Sequence, residues 1–302
     1  MYDILIIGGG AAGLTAALYS LRAGKRVLVL EAETFGGQIT ASPCVENYPG
    51  LPQVSGAAFA DALLEQVLQL GGQVELERVT EIRTEGDHKR ILTEDGEYLA
   101  QCVILATGVR HRKLGLERED ELLGRGLSYC AICDGAFFKG KETAVVGGGS
   151  AALQSALLLA GICGRVYLIH RRDAFRGEAA LVRQVEKTDN IVCLMERRIM
   201  GLLGEQTLSG LRLQSTRDEK EETLSIDGLF VSIGQEPSNQ LFASVVKLDK
   251  DGYILAGEDC RTSDPVIFAA GDCRAKEIRQ LTTAAADGSV AALAACGTLE
   301  RL

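Results

Sequence analysis

Glycine supplies 35 of the 302 residues, about 12% where roughly 7% is usual, against 5 prolines and no tryptophan. With 46% hydrophobic residues and Pro plus Gly near 13%, disordered and collagen-like chains are excluded, and a soluble protein long enough to split into two cores is expected. A net charge of −9, without a basic tract that could follow a phosphate backbone, argues against a nucleic-acid partner.

Along the chain, the first feature is a charge-free run from Ile4 to Leu21. Its length could suggest a signal peptide or a membrane span. Asp3 stands where a basic segment should be, Gly8, Gly9, Gly10 and Gly13 interrupt the run, and Thr15 and Ser20 dilute it. Neither export nor a membrane is therefore expected. The same stretch is better described as a strand (Ile4 to Ile7), a glycine turn and a helix, leading to a second β-rich run that ends at Glu31.

This pattern recurs at an offset of 139. Residues 6–32 and 145–171 align without a gap, identical at nine of 27 positions including three consecutive glycines. Each copy predicts a βαβ unit. A lone Gly-x-Gly-x-x-Gly is weak evidence, but here a strand precedes it and a helix follows. Gly8, Gly10 and Gly13 fill the three roles of a dinucleotide fingerprint: the tight turn, the close backbone approach to a pyrophosphate, and helix-to-strand packing. In the second copy Gly147, Gly149 and Ala152 occupy these places.

The ends of the second strands distinguish the copies. Glu31 is placed to accept hydrogen bonds from a ribose 2′-hydroxyl. The aligned residue in the second copy is His170, followed by Arg171, Arg172 and Arg176. A guanidinium cluster suits a 2′-phosphate that a carboxylate would repel, so the second site suits NADP(H).

Between the copies lies Cys130-Ala131-Ile132-Cys133-Asp134. A Cys-x-x-Cys can be half a zinc site, a redox dithiol or two core cysteines. The remaining cysteines are scattered singly and only three histidines exist, so no metal site is expected. Beside two dinucleotide sites, an oxidisable pair that accepts two electrons is the better account, with Asp134 able to move a proton. Cys102, Cys163, Cys193 and Cys296 lie in apolar runs and are expected to be buried and inert. Cys44, Cys260 and Cys273 sit in polar or loop-like contexts, and none is assigned a catalytic role.

These features resemble the low-molecular-weight, bacterial-type thioredoxin reductases over essentially the whole length. Further motifs carry the resemblance: Gly36-Gly37-Gln38, Val45 through Gly50, Ala106-Thr107-Gly108, Tyr129 through Gly135, and Phe268 through Asp272 leading to Arg279-Gln280. The resemblance implies a flavoprotein enzyme that passes electrons from NADPH through FAD to the dithiol and on to thioredoxin. It places Gly8, Gly10, Gly13, Glu31, Gly37, Gln38, Asn47, Thr107, Asp272, Arg279, Gln280 and Leu281 around FAD, with the helix start at Leu281 facing the flavin. It places Gly147, Gly149, Ala152, His170, Arg171, Arg172 and Arg176 around NADPH. Cys133 would face the flavin, Cys130 would attack the partner disulfide, and Asp134 would be the acid/base.

One departure bears on nicotinamide-ribose binding: Leu153-Gln154-Ser155 stand where many relatives carry an acidic pair, and Ser150 where Asp or Asn is usual. Some relatives take electrons from ferredoxin instead, a donor against which the arginine cluster argues. The same residues are also compatible with a different thioredoxin-like or peroxidase-linked acceptor, and with a non-catalytic nucleotide-binding redox sensor.

The expected fold is α/β, with two Rossmann-like, three-layer ββα nucleotide-binding domains, the NADPH domain inserted into the FAD domain. The expected segments are 1–112 with 242–302 for FAD and 113–241 for NADPH. Because the dithiol and the nicotinamide site share the inserted domain, the resemblance implies that this domain rotates between half-reactions about its two crossings. It also implies a homodimer, while nine cysteines, an odd number and sparse for a disulfide-stapled secreted module, lead to the expectation of a reducing cytoplasm.

Overall fold

A computed structural model describes residues 1–42 and 44–301; Pro43 and Leu302, the latter ending the expected FAD segment, lie outside the described residues. The chain forms two compact units, Met1–Arg110 with Glu236–Leu302, and His111–Gln235.

The first unit opens with β1 (Tyr2–Ile7), α1 (Ala11–Arg22) and β2 (Val27–Glu31), then α2 (Gly56–Gln69) and β3 (Gln73–Leu76). A meander of β4 (Val79–Glu85), β5 (His88–Thr93) and β6 (Glu97–Leu105) follows. The strand order is β3-β2-β1-β6-β5-β4. β6 serves twice: Glu97 to Ala100 pair antiparallel with β5, and Ala100 to Leu105 pair parallel with β1. The period of two in the strands sends Ile4, Ile6, Val27, Val29 and Ile104 into a core with α1. It sends Leu5, Ile7, Leu28, Leu30 and Leu105 into a second core with Val79, Ile82 and Ile91 of the meander. Both faces are covered, which is why Ile4 to Ile7, Val27 to Leu30 and Cys102 to Leu105 are unbroken apolar runs. The run from Ile4 to Leu21 is thus a strand, a turn and a helix, and among the described residues no helix is long and apolar enough to cross a membrane.

Short strands β7 (Arg110–His111) and β16 (Gln235–Glu236) pair at the two crossings. Between them lie α3 (Glu119–Leu122), β8 (Leu127–Ser128), α4 (Ala131–Asp134), β9 (Glu142–Val146), α5 (Ser150–Ala160), β10 (Arg165–His170), α6 (Ala179–Glu186) and β11 (Ile191–Met195). An antiparallel sheet of β12 (Arg197–Leu203), β13 (Gly210–Ser215) and β14 (Glu221–Ser225) precedes β15 (Gly228–Val231). The parallel sheet runs β11-β10-β9-β15-β8. Val145, Val166, Leu168 and Phe230 pack with α5 on one face, while Ala144, Ile169 and Leu229 pack with Leu211 and Leu213 on the other. The second unit therefore repeats the layers of the first, and the fold is the expected pair of Rossmann-type α/β sheets. β11 is an edge strand, and Cys193 on it is exposed, contrary to the burial expected from its apolar run.

The compact units divide at 110/111 and 235/236, not at the expected 112/113 and 241/242. Residues 236–241 stay with the first unit because Asn239 is fully buried there, donating to the carbonyls of Cys273 at 2.7 Å and Gly252 at 3.0 Å. Phe242 joins the same core. The chain then returns through β17 (Ile267–Ala269), which pairs with the C-terminal half of β6, and ends in α7 (Leu281–Leu299).

α7 lies directly on α1. A Cβ at Gly288 would collide with the carbonyl oxygen of Ala12, so this glycine sets the helix separation. Its neighbour Asp287 is a buried carboxylate held by the N–H of Gly271 at 3.0 Å, two guanidinium nitrogens of Arg274 at 2.9 Å each, and Lys276 Nζ at 2.9 Å. Burial raises its pKa, but these donors outweigh it and hold the carboxyl below its usual range.

Gly288→Val should destabilise the protein by about 1–3 kcal/mol through overpacking, seen as a lower thermal midpoint, while Gly96→Ala, with open space around its Cβ, should leave the midpoint unchanged. Asp287→Ala leaves two buried cations without their counter-charge and should cost about 3–5 kcal/mol. Because the folded pKa is depressed, the contribution of Asp287 is complete above the ordinary carboxylate range and is lost as pH falls through it. The wild-type advantage over the variant in denaturant titrations should shrink on acidification accordingly.

Candidate active site

The first glycine turn leaves β1 with Gly8 at φ +109°, a conformation that favours glycine. A Cβ there would meet the backbone of Ala106, and one at Gly13 would meet the carbonyl oxygen of Gly8. Gly10 is the N-cap of α1 and offers no side chain to the first helical N–H groups. These donors, with the positive end of the helix dipole, form an anion cradle that any side chain would fill. Glu31 closes it: Oε2 accepts from Gly9 N–H at 2.6 Å and Oε1 from Glu33 N–H at 2.9 Å. Its carboxylate thus ties the end of β2 to the turn, and each oxygen keeps a second lone pair for a ligand hydroxyl. Gly36 N–H donates to Gly9 O at 2.8 Å, which sets Gly37 over Gly10, and Gln38 donates from Nε2 to Val109 O.

The C-terminal segment adds the turn 271–273. Asp272 Oδ1 is buried without a hydrogen-bond partner among the described residues, the Lys276 ammonium standing 3.8 Å away. Burial raises the Asp272 pKa against the pull of Lys276 and Arg279. Such an atom fits a donor from a bound sugar or ribitol hydroxyl. Arg279 donates to Asp272 O at 3.3 Å and lies over the Tyr253 ring at 4.1 Å. Gln280 caps α7 in a reciprocal box with Thr283, and Asn47 reaches its Oε1 at 3.4 Å, so Leu281 begins the helix as expected. Thr107 donates to Asn239 Oδ1 at 3.0 Å. The residues assigned to FAD are therefore gathered in one unit, and the open glycine cradle and the unpartnered Asp272 oxygen fit a flavin dinucleotide.

In the second unit a Cβ on Gly147 would meet Ser232 O and the Cβ of Ala152, which packs fully buried beneath the turn. Gly149 caps α5 and faces open space. Arg176 N–H donates to Gly148 O at 2.7 Å, bringing the 171–176 loop beside the turn. Arg171, Arg172 and Arg176 are exposed, and among the described residues their guanidinium groups have no carboxylate partner. His170 differs from them: it is buried, stacked on Phe175 at 5.6 Å, and occupies the space that a Cβ on Gly148 would need. Burial and the neighbouring arginines hold its pKa down. Its position supports the turn, as that of Glu31 does in the first copy.

The dithiol lies in the same unit. Cys130 and Cys133 form a disulfide with a Cα separation of 5.3 Å across the one-turn helix α4. Cys133 is exposed and Cys130 half-buried. Asp134 is raised in pKa by burial; Ser128 Oγ donates to its Oδ2 at 2.5 Å, and Oδ1 is buried without a partner among the described residues. A disulfide, a carboxyl disposed to hold a proton, and exposed Ile132 and Phe137 alongside suit thiol–disulfide exchange with another protein.

Several contributors escaped sequence reasoning. The middle glycines Gly9 and Gly148, identical in both copies, are required because Glu31 and Phe35 in one case and His170 in the other press against them. Asn239, Asp287 and Ser128 had no motif to mark them, and their roles rest on partners far away in sequence or on hydroxyl geometry.

The model of the family "Pyridine nucleotide-disulphide oxidoreductase" matches residues 2–288. A thioredoxin reductase of Treponema pallidum (strain Nichols) is 41% identical over 302 residues, 100% of this chain and 98% of that protein. The crystal structure of thioredoxin reductase from Streptococcus pyogenes MGAS5005 superposes with a TM-score of 0.96 at 36% identity, covering 100% of this chain and 99% of the other. Thioredoxin reductase from Giardia duodenalis gives 0.93 at 35% identity, covering 99% of each. The chain therefore belongs to the pyridine nucleotide-disulphide oxidoreductase family and, within it, to the thioredoxin reductases, flavoprotein disulfide oxidoreductases that use a flavin and a pyridine nucleotide.

Proposed function

We propose that the chain is an NADPH-dependent thioredoxin-disulfide reductase: electrons pass from NADPH through FAD to Cys130–Cys133 and on to oxidised thioredoxin. One observation carries this reading: a disulfide beside a buried carboxyl shares its unit with a glycine turn flanked by three guanidinium groups that have no carboxylate partner among the described residues. Bound FAD would supply two-electron chemistry linking a hydride donor to a disulfide.

The chain's own residues do the rest. Gly8, Gly10 and Gly13 admit the FAD pyrophosphate to the start of α1, Glu31 accepts from a ribose hydroxyl, and Asp272 Oδ1 accepts from the ribitol region. Gly37, Gln38, Asn47, Thr107, Arg279, Gln280 and Leu281 complete the wall of the first unit. In the second, Gly147 and Gly149 admit the NADPH pyrophosphate, Ala152 and His170 support the turn, and Arg171, Arg172 and Arg176 bind the 2′-phosphate. Cys133 takes electrons from the flavin side, Cys130 attacks the thioredoxin disulfide, and Asp134 transfers the proton. We assign the first unit to FAD and the second to NADPH, with rotation about the paired crossings between half-reactions, in a cytoplasmic homodimer.

Cys130→Ser should abolish thioredoxin reduction while NADPH still bleaches the flavin band; sustained turnover with thioredoxin would refute the relay. In anaerobic titrations NADPH should reduce the flavin at lower concentration than NADH, whereas reduction by ferredoxin alone would refute the donor. Arg171→Ala combined with Arg176→Ala should raise KM for NADPH by about tenfold to a hundredfold, the value of a charge-assisted contact, and leave KM for NADH nearly unchanged.

A further inference from the structure

Ser128 lies at the end of β8, almost fully buried, two residues before the dithiol. Its hydroxyl accepts from Cys130 N–H at 3.0 Å, a common local turn that by itself implies nothing about chemistry. The same hydroxyl has one proton to give and two acceptors in reach: Asp134 Oδ2 at 2.5 Å and Cys130 O at 3.3 Å. The shorter contact, to a carboxyl, takes it. A directional chain results, from Cys130 N–H to Ser128 Oγ–H to Asp134 Oδ2. With Oδ2 committed as an acceptor, the other oxygen, Oδ1, is buried with no partner among the described residues.

We propose that Ser128 is the positioning residue for Asp134: by donating to Oδ2 it directs the transferable proton of the carboxyl onto Oδ1 and fixes that oxygen's orientation. This rests on the reading of Asp134 as proton donor to the dithiol. The step balances. Two electrons supplied by the family's reaction break the S–S bond and leave two negative charges on sulfur. The Oδ1 proton neutralises one of them, giving a thiol, a thiolate and a carboxylate that regains its proton from water. If Oδ2 carried the proton instead, Ser128 would donate to a carboxyl hydroxyl oxygen, a weaker acceptor than a carbonyl oxygen, so the 2.5 Å contact favours the proton on Oδ1.

The burial that raises the Asp134 pKa favours the protonated form, and the Ser128 hydrogen bond opposes that rise. A donor is exhausted as pH rises through its pKa, so the rate of disulfide opening should have a limb that falls at high pH. Removing the hydroxyl should move this limb to higher pH while slowing the rate through lost orientation.

The test uses oxidised holoenzyme mixed rapidly and anaerobically with NADPH or, separately, with dithionite, with free thiols counted against time in a pH series that starts at the ordinary carboxylate range, about pH 4, and runs upward. FAD content and thermal midpoint check that each variant is folded. Asp134→Asn should remove the alkaline limb and slow opening by at least about tenfold. Ser128→Ala should slow opening by about tenfold and shift the limb upward, and Ser128→Thr, which keeps the hydroxyl, should restore both. If Asp134→Asn is impaired but Ser128→Ala matches wild type, or if the alanine and threonine variants are equally slow with the limb unmoved, the positioning role is overturned while Asp134 remains the donor. If Asp134→Asn matches wild type, the donor reading itself fails.

Discussion

The architecture depends on backbone approaching backbone where no side chain can intervene. At Gly8 and Gly13 an added Cβ would collide with main-chain atoms, which cannot rotate away as a side chain could. That contact seats α1 against the end of β1 and leaves its first N–H groups open. Gly288 repeats the device one layer out, letting α7 rest on the backbone of α1 at Ala12. With α7 placed, Asp287 reaches the turn 271–273, and that turn carries Asp272. A few missing methyl groups thus fix, in sequence, a helix start, a helix pair and a buried carboxyl. In the second unit the third role tolerates Ala152, because the methyl fits into the space that Gly147 leaves open.

Three aspartates with buried carboxyl oxygens show how donor count separates structure from chemistry. Asp287 receives four hydrogen bonds, two cations among their sources, and stays ionised below the usual carboxylate range. Asp134 receives one on its carboxyl, Asp272 receives none at Oδ1 among the described residues, and burial raises both. Folding alone does not account for an incompletely satisfied buried carboxyl, whose cost must be offset elsewhere. The two aspartates that resemblance marks for function are the two that the protein leaves under-satisfied.

Much of this was legible in the sequence because it is local. The repeat at offset 139 reports two strand-turn-helix units, and their glycines, Glu31 and the arginines follow at fixed spacing. Both divisions lie within the stretches 109–113 and 235–242 where crossings were expected, but the place of residues 236–241 depends on Asn239, whose partners Gly252 and Cys273 are visible only once the chain has folded. His170 aligns with Glu31, and its ring presses on Gly148 as Glu31 does on Gly9, a contact that alignment places on the strand but does not describe. Cys193 misled for a related reason, since an apolar run does not reveal that its strand is an edge.

The cysteines complete the contrast between location and chemistry. Exchange needs a thiolate, access, and a second sulfur within bridging distance. Burial pushes Cys102 and Cys260 up to about 12 and Cys273 to about 11, which removes thiolate and access together. Cys193 has access, but its pKa is also raised, by burial and by Glu186, and no second sulfur bridges to it among the described residues. Among those residues Cys130 and Cys133 alone form a bridge, and there the exposed Cys133 is followed by a carboxyl whose pKa is raised. A bacterial-type dithiol can therefore work in a chain with seven other thiols, none of which is bridged to a second sulfur and five of which are buried.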